Sequence, residues 1–320
     1  MTIPLHRDRI ALNAIQWINI KADPTDPLSE DLWRYADPDF RADYPAVLTQ
    51  IREAGFSAVM MEVLATQTLQ DFARMIAESG LALAPGYAPI AIPSDHGTQL
   101  TRGSAERVHW FDGVRRKAEE SNFVGLGTVF LAPEVSWEEG FVRTRDAVAV
   151  GAAFSQPRLD EQIEFLAEAA EVLRAEGIRA GLHNHVGTWI ETEDEIEQTF
   201  AAIPAELLGA SFDLGHLAWA GIDPVQMLRK HADRIIDLHL KDLDLSIAEA
   251  SRATPTPYNT ATDGGLFLEP GLGQMDLLGA LETLPVEFPG WVIIEVDRAS
   301  MEPFASAKAS WSWVEAAIPE

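Results

Sequence analysis

The chain has 320 residues, 47% of them hydrophobic, no cysteine and a formal net charge of −26. An acidic excess of this size disfavours nucleic acids and anionic membranes as partners, because both bind basic surfaces. The absence of cysteine excludes disulfides and thiolate chemistry and agrees with a reducing compartment. The opening MTIPLHRDRIAL lacks a signal-peptide pattern, and no uncharged apolar stretch of about 18 residues is present. We therefore expect a cytoplasmic enzyme with no membrane span.

Short apolar runs alternate along the chain with amphipathic segments of helical period. The apolar runs, which we predict to be strands, cover residues 10–18, 57–63, 81–85, 124–131, 180–183, 209–213, 235–240 and 291–296. Helical patterns between them include residues 44–54, 69–78, 106–121, 159–176, 193–202 and 224–231. Strands separated by helices pair in parallel through right-handed crossovers, and no GxGxxG follows an early strand to favour an open sheet. The sequence thus predicts an α/β fold, a single (β/α)8 TIM barrel domain over residues 1–320.

Two connections are much longer than the others. One follows the fourth predicted strand, over residues 132–155, and the other follows the seventh, over residues 242–274. Loops of this length inside a compact domain are usually functional, and both leave the carboxyl ends of strands, where barrel enzymes have their active sites. We expect the second loop to act as a lid, with Gly271 and Gly273 letting its backbone close over the substrate.

Histidines and carboxylates concentrate at the carboxyl ends of the predicted strands. They are His183, His185, His216, His239, Glu62, Glu134, Asp213 and Glu295. Because residues i and i+2 share one face of a strand, three pairs should point into the same barrel mouth. These pairs are His183 with His185, His239 with Lys241, and Glu295 with Asp297. Mixed imidazole and carboxylate donors suit Mn²⁺, Fe²⁺, Co²⁺ or Zn²⁺ better than Ca²⁺, so the pattern predicts a divalent-metal site.

Five segments resemble the ordered motifs of the xylose-isomerase-like sugar isomerase/epimerase superfamily: HNHVGTWIET, FDLGHLAWAGIDP, IIDLHLKD, FLEPGLGQMDL and WVIIEVDR. The resemblance begins at ALNAIQWIN in the first run and is strongest over residues 178–298. In that family a TIM barrel holds a metal through Glu, Asp, His and Glu from strands five to eight. Carried over to this chain, the resemblance implies that Asp213, His239 and Glu295 are metal ligands.

The first ligand position departs from the family pattern, because His183 stands where the glutamate usually lies. Either His183 is the fourth ligand, which we prefer, or Glu134 supplies it. A histidine-rich fifth strand followed by Gly-Thr resembles the inosose dehydratase branch. The chain length, the QWIN segment and the long loops resemble the α subunits of C-glycoside deglycosidases. Both branches imply enolisation beside a ring ketone followed by β-elimination, and the second implies a small β subunit as a partner, with a homo-oligomer as the other possibility.

The expected chemistry assigns roles to the neighbouring residues. One divalent ion, manganese before cobalt, iron, magnesium or zinc, would stabilise the enediolate as a Lewis acid. His185 is the expected general base, because it lies two residues beyond a ligand position and imidazole titrates near neutral pH. His216 and Lys241 would hold substrate oxygens or protonate the leaving group, with Glu134 as a further catalytic candidate. Substrate contacts are expected from Trp17, Glu62, Trp189 and Arg298.

The leading interpretation is a metal-dependent lyase acting on a keto-sugar or keto-polyol, either a 3-oxo-C-glycoside or an inosose. The main alternative is a metal-dependent isomerase or epimerase that uses the same enediolate, although the missing strand-five glutamate counts against it. A metal-dependent nuclease on this barrel would need a basic groove, which the net charge disfavours. A non-catalytic sugar-binding subunit is the remaining interpretation.

Overall fold

A computed structural model of the protein describes residues 3–23, 25, 26 and 29–319. Parallel strands form a ring and are numbered β1 to β8 in chain order. They are Ile10–Leu12 (β1), Ala58–Met60 (β2), Ala82–Ala84 with Tyr87–Ile90 (the two halves of β3), Thr128–Pro133 (β4), Arg179–Leu182 (β5), Leu208–Asp213 (β6), Ile235–Leu240 (β7) and Val292–Ile294 (β8). β1 pairs in parallel with both β2 and β8, and the order continues around the ring. The predicted TIM barrel is confirmed.

The ring closes through β3, which is interrupted at Pro85 and Gly86. Its first half pairs with β2 and its second half with β4. Backbone hydrogen bonds continue across the break, since the Met61 N–H donates to the Ala84 carbonyl at 2.9 Å. Only glycine fits at position 86, because a Cβ atom there would lie 2.3 Å from the carbonyl oxygen of Met61.

The break in β3 also changes which side chains face the lumen. Strict alternation would place Ala84 and Tyr87 on opposite faces of the strand. Both nevertheless pack in the same lumen cluster with Phe130 of β4, so the break shifts the alternation by one residue. Tyr87 is thereby turned towards the interior of the barrel.

In the described residues a short helix, Leu214–Trp219, directly follows β6, and eight principal helices, one after each strand, surround the ring. Numbered α1 to α8, they are Pro38–Ala54, Leu69–Ser79, Asp112–Val124, Gln156–Ala175, Glu193–Ala202, Pro224–Lys230, Leu277–Leu281 and Pro303–Ala317. A capping box between Thr192 and Glu195 fixes the start of α5, and Asp223 caps α6 ahead of Pro224. No helix in the described part of the chain has the length and apolar character needed to cross a bilayer.

Shorter elements lie in the connections. A 3₁₀ turn, Arg7–Arg9, precedes β1, and helix Ile15–Ile18 follows it, ahead of an antiparallel ribbon of Asn19–Lys21 with Asp31–Trp33. The link from β3 to α3 contains Pro93–His96 and Ala105–Trp110. The two long loops contain helices: Val142–Arg145 after β4, and Leu245–Ala253 and Tyr258–Asp263 after β7, beside a ribbon of Asp242–Leu243 with Phe267–Leu268.

The first predicted strand is the clearest difference from expectation. Residues 10–18 were expected to form one strand, but β1 ends at Leu12. The side chain of Asn13 then accepts a hydrogen bond from the backbone N–H of Ile15 at 3.0 Å, which turns the chain into a short helix. Both pieces are buried, so the apolar run alone could not distinguish strand from helix.

The lumen has an apolar side and a polar side. Small and apolar side chains from β1 to β4, with one from β8, fill one part: Ala11, Ala58, Met60, Ala84, Phe130 and Ile293. Buried polar side chains from β5 to β8 and their carboxyl ends fill the other: His183, Ser211, Asp213, Asp237, His239, Lys241 and Glu295. Within the lumen, buried charge is therefore concentrated on four consecutive strands.

Asp237 of β7 is buried two residues before His239, towards the amino end of the strand. Its Oδ1 accepts a hydrogen bond from the backbone N–H of Trp291 at 2.7 Å, and burial raises its pKa to about 7. An unfolded aspartate ionises near pH 3.9. Between about pH 4 and about pH 7 the folded state therefore holds a proton that the unfolded state has lost, and this site destabilises the fold as the pH rises.

We predict that Asp237→Asn becomes progressively more stable relative to wild type as the pH is raised through this window. Asparagine keeps an oxygen that can accept the hydrogen bond from the backbone N–H of Trp291, and it does not ionise. The difference in free energy of unfolding should change by roughly 1.4 kcal/mol per pH unit and level off above about pH 7. Urea unfolding at a series of pH values measures it, with Asp233→Asn on the surface as control. A constant difference across the series would contradict the burial effect.

Candidate active site

A cavity of about 590 Å³ opens at the carboxyl ends of the barrel strands. Its lining combines polar residues of the strands with aromatic residues of the connections: Tyr87, His183, His185, Glu295, Asp297, Trp33, Tyr35, Trp137 and Tyr258. A second cavity, of about 600 Å³, lies at the amino ends of the strands and contains none of the predicted histidines. The first cavity is therefore the candidate active site, because it lies on the face where barrel enzymes perform their chemistry.

Lys241 occupies the centre of the polar cluster and is completely buried. Its Nζ lies 3.1 Å from Oδ2 of Asp213, 2.8 Å from Oδ2 of Asp297 and 3.4 Å from Oε1 of Glu295. It also lies 3.1 Å from Nε2 of His216. Burial acts to lower the pKa of Lys241, but the three carboxylates outweigh it and hold that pKa well above its ordinary value. Lys241 is thus an ammonium at neutral pH.

His185 and His216 lie against each other beside Lys241, with ring centroids 3.7 Å apart. Nδ1 of His185 is 2.6 Å from the carbonyl oxygen of Val186, which can only accept, so Nδ1 carries the hydrogen and Nε2 is free to take a proton. Burial lowers the pKa of His185 to about 4 and lowers that of His216 well below its ordinary value. Both rings are neutral at pH 7, which is the state a general base requires.

His183 and His239 form a second pair of rings, with centroids 4.5 Å apart. Nε2 of His239 lies 3.6 Å from Oε2 of Glu295, beyond hydrogen-bond distance. Among the described residues neither ring nitrogen of His239 has a hydrogen-bond partner, and the same holds for Nδ1 of His183. Buried polar atoms without partners are costly, so these nitrogens indicate that a ligand completes the site.

The four predicted metal ligands all lie in the mouth, but no three of them have ligand atoms within 4.8 Å of one another. Asp213 and Glu295 both lie beside Lys241, and His239 links Glu295 to His183. With Asp297, three buried carboxylates face one ammonium, which leaves two negative charges unmatched. A divalent cation would balance them, and two carboxylates with two imidazoles are a donor set that transition metals accept. The residues present therefore fit a divalent metal.

A second group in the same mouth also has metal-ligand chemistry. One ligand atom from each of His185, His216 and Asp297 lies within 4.8 Å of the others. A metal held there would make His185 a ligand rather than a base. Among the described residues both groups contain buried polar atoms without a hydrogen-bond partner: Nδ1 of His183 and both ring nitrogens of His239 in the first, and Nδ1 of His216 and Oδ1 of Asp297 in the second.

Two predicted substrate contacts do not reach the cavity. Trp17 is buried in the outer core, and its Nε1–H donates to Oε1 of Gln50 at 2.9 Å. Trp189 donates through Nε1 to Oδ2 of Asp95 at 2.7 Å and packs against Phe141. Neither belongs to the cavity that the described residues line. The structure corrects this prediction: both indoles bind neighbouring protein groups that the sequence did not reveal.

The other predicted contacts lie at the edge of the site. Arg298 lines the cavity but is ion-paired with Asp31 and, at 3.4 Å, with Asp263. Glu134 also lines it, yet its side chain is 45% exposed and lies 3.3 Å from Nε2 of His96. This exposed ion pair makes Glu134 a weaker candidate than buried His183 for the fourth ligand. Glu62 is not in the lining, and burial raises its pKa to about 7.

Sequence reasoning missed the aromatic residues of the cavity. Trp33 and Tyr35 stack with ring centroids 5.7 Å apart, at the end of the ribbon that was not predicted. Trp137 packs edge-on against Tyr258 at 5.2 Å, and Tyr258 lies parallel to His185 at 5.9 Å. The signal available for Trp137 and Tyr258 was their position in the two long loops. Tyr87 had no such signal, because the break in β3 determines its direction.

Asp242 explains the glycines of the EPGLG segment. Its Oδ2 accepts hydrogen bonds from the backbone N–H groups of Gly271 at 2.9 Å and Gly273 at 3.0 Å, and its Oδ1 accepts from that of Met275 at 3.1 Å. A Cβ atom at position 273 would lie 2.2 Å from Oδ1 of Asp242. Gly273 therefore permits close approach to this carboxylate, which corrects the expectation that it serves the substrate.

The fold and the mouth together define a (β/α)8 barrel with a buried, metal-compatible polar centre. The sequence model of the family described as "Xylose isomerase-like TIM barrel" matches residues 48–317. The chain belongs to this family, and the resemblance predicted from its motifs is confirmed.

A curated relative and two solved structures are informative. An inosose dehydratase of Geobacillus kaustophilus (strain HTA426) is 31% identical over 156 residues, which are 48% of this chain and 51% of the relative. The chain thus matches about half the length of that relative. A structure of L-ribulose 3-epimerase has a TM-score of 0.63 at 15% identity, and the aligned region covers 97% of this chain and 94% of the epimerase chain. The IolI protein with a bound zinc atom has a TM-score of 0.61 at 14% identity, covering 96% and 97%. At these identities the structures show a common fold.

We predict that Asp242→Ala destabilises the protein by about 3 kcal/mol or more, because it leaves several backbone donors without an acceptor. Urea unfolding gives this value. The neighbouring Asp244→Ala is the matched control, since Asp244 is an N-cap whose loss costs about 1 kcal/mol. Limited proteolysis of Asp242→Ala should also cut within residues 269–275. Equal losses in the two variants would show that Asp242 has no special role in this loop.

Proposed function

We propose that the protein is a divalent-metal-dependent lyase that removes the α-proton of a keto-polyol and then expels a β-substituent. The observation that carries the proposal is the arrangement in one cavity of neutral His185, the Lys241 ammonium and a carboxylate cluster with unmatched negative charge. The inosose dehydratase relative supports the same class of reaction.

The proposed metal ligands are His183, Asp213, His239 and Glu295. When bound, a divalent ion supplies Lewis-acid stabilisation of negative charge on a substrate carbonyl oxygen. Manganese is our first choice among the divalent metals. The zinc atom of the IolI protein supports a divalent ion of this general kind without selecting one metal.

The chain's own side chains account for the proton movements. Nε2 of His185 takes the proton from the carbon beside the ketone, and the electrons of that C–H bond pass into the enolate. As the enolate collapses, a carbon–carbon double bond forms, the bond to the β-substituent breaks, and the leaving group departs with its electron pair. Lys241 and His216 lie within 3.1 Å of each other and would hold the substrate oxygens or supply the proton that the leaving group takes up.

The charges of the cavity favour an uncharged substrate. Five carboxylates belong to its lining: Glu30, Asp31, Glu134, Glu295 and Asp297. Two arginines also belong to it, Arg145 and Arg298, and the second is already paired with Asp31 and Asp263. Because phosphate sites depend on free cationic donors, this balance argues against a sugar phosphate and for a neutral keto-polyol.

Two substrates are compatible with this reaction. The inosose dehydratase relative supports an inosose that loses water. A 3-oxo-glycoside that loses its aglycone is supported by the cavity, whose 590 Å³ falls in the range that holds drug-sized ligands, about 300–1,000 Å³. Trp33 and Trp137 line it with 44% and 40% of their surface exposed, and they would pack against a flat apolar aglycone.

We predict that Mn²⁺-loaded protein converts inosose, or a 3-oxo-C-glucoside with an aromatic aglycone, to an elimination product detectable by mass. Asp213→Asn should lose both bound Mn²⁺ and turnover, because the amide keeps the shape of the side chain but not its charge. Metal analysis after gel filtration measures the first effect. Far-ultraviolet circular dichroism should remain that of a folded barrel.

Asp223→Asn on the surface is the control for this variant and should keep both metal and activity. Wild-type metal content in Asp213→Asn would show that the ligand assignment is wrong. A product isomeric with the substrate, formed without loss of water or aglycone, would identify an isomerase or epimerase instead. Binding of the sugar without any product would support the non-catalytic interpretation.

We predict that His185→Asn and His185→Ala keep the metal but lose roughly 10²- to 10⁴-fold in turnover. Asparagine can still donate to the Val186 carbonyl, yet it lacks the nitrogen that accepts the proton. Exchange of the substrate α-hydrogen with deuterated solvent should stop in both variants. In wild type the acidic limb of kcat/KM should lie near pH 4 rather than near 6.5, because lowering the pKa of His185 keeps the base unprotonated down to that pH.

Other outcomes of the His185 variants would reassign the residue. Persistent exchange with failed elimination would make His185 the acid acting on the leaving group. Loss of metal would make it a ligand, as the grouping with His216 and Asp297 allows, and His183 would then be the better candidate for the base. His109→Ala on the surface is the control for general effects of removing a histidine.

A further inference from the structure

Tyr87 is a cavity residue that neither the motifs nor the proposed proton transfers account for. It lies at the start of the second half of β3, across the lumen from the four proposed metal ligands, which come from β5 to β8. We propose that Tyr87 is a positioning residue of the metal centre: its hydroxyl fixes the orientation of Glu295, and its ring fixes the orientations of His183 and His239. This inference rests on the proposed metal site.

The hydroxyl contact separates the two oxygens of Glu295. The Tyr87 O–H donates to Oε2 at 2.7 Å. Oε1 instead lies 3.4 Å from Nζ of Lys241, on the side of the unmatched carboxylates. Oε2 also lies 3.6 Å from Nε2 of His239, so the oxygen that Tyr87 holds faces another proposed ligand. The hydroxyl therefore fixes how Glu295 is turned towards the proposed metal site.

The ring of Tyr87 contacts both imidazoles of the proposed ligand set. It packs edge-on against His183, with centroids 4.8 Å apart, and stacks on His239 at 5.2 Å with an interplanar angle of 23°. Within the described chain no hydrogen bond holds either ring nitrogen of His239. Its orientation therefore depends on packing, chiefly against Tyr87 and against Phe130 at 4.4 Å. In most metal sites a hydrogen bond to the second ring nitrogen performs this task.

The hydroxyl and the ring have separable effects. Tyr87→Phe removes only the hydrogen bond to Glu295, whereas Tyr87→Leu also removes the aromatic surface under His239. Loss of a group that orients a metal ligand typically costs about 10- to 100-fold in metal affinity. We expect Tyr87→Phe to weaken Mn²⁺ binding within that range, and Tyr87→Leu to weaken it further.

The experiment titrates metal-free protein with Mn²⁺ by calorimetry and with Co²⁺ by visible absorption. Tyr44→Phe is the matched control, because Tyr44 is also buried and its hydroxyl donates to the backbone carbonyl of Glu62 at 3.3 Å, outside the ligand set. Tyr44→Phe should bind both metals as wild type does. Tyr87→Phe should bind more weakly and give a changed Co²⁺ spectrum, because Glu295 is no longer held in one orientation.

The outcomes separate failure of this inference from failure of the proposed function. Wild-type affinity and an unchanged Co²⁺ spectrum in Tyr87→Phe would overturn the positioning role while leaving the metal site intact. Failure of wild-type protein to bind either metal would overturn the proposed site and this inference together. Equal weakening in Tyr44→Phe and Tyr87→Phe would show a general effect on the fold and overturn the specific role. Thermal unfolding of the metal-free variants should match wild type closely, as a role confined to the metal centre requires.

Discussion

The Lys241 ammonium and the three carboxylates around it determine most of what this barrel mouth can do. Burying one positive charge among three negative ones leaves two unmatched, and taking charges out of water is costly unless partners compensate. Burial accordingly raises the pKa values of Asp213 and Asp297. In the metal-free protein, protonation of these carboxylates can relieve the excess negative charge. In the metal-loaded protein, a divalent cation can do so. Burial and the nearby Lys241 ammonium lower the pKa values of the neighbouring imidazoles, so these rings can stay neutral and act as ligands or bases.

The surrounding structure holds this cluster in place through a second layer of buried polar contacts. Arg143, in the long loop after β4, makes a two-pronged ion pair with Glu195 at 2.6 and 3.1 Å and donates to the carbonyl of Thr188 at 2.7 Å. It thereby fastens that loop to the segment that carries His185. In the loop after β7, Asp242 plays a similar part, because its carboxylate holds the backbone N–H groups of residues 271, 273 and 275. Carboxylate and guanidinium groups of the surrounding loops thus hold in position the short segments that carry the candidate site residues.

Much of the site followed from the rule that residues i and i+2 share one face of a strand. It correctly placed His239 with Lys241 and Glu295 with Asp297 in one mouth, although three of these four residues lie just beyond the ends of β7 and β8. The rule failed for Tyr87, because the break at Pro85 and Gly86 shifts by one residue which side chains of β3 face the lumen. The tryptophans could not be sorted from sequence either, since Trp17 lies close to a strand end yet is held in the core by Gln50. Helices inside the long loops were equally hidden, because their packing surfaces lie on distant segments.

The departure from the family pattern at His183 is consistent with this charge balance. A glutamate there would add a fourth buried carboxylate, and a divalent ion together with Lys241 could no longer neutralise the site. A neutral imidazole contributes a metal donor without adding charge, so Asp297 can keep its 2.8 Å contact with Lys241 when the other carboxylates turn to a cation. An ammonium and a neutral histidine then remain available beside the metal. Elimination can use these groups to protonate the departing substituent, and isomerisation can use them to return a proton to the enediolate, so the reaction depends on whether the bound substrate carries a leaving group beside the enolate.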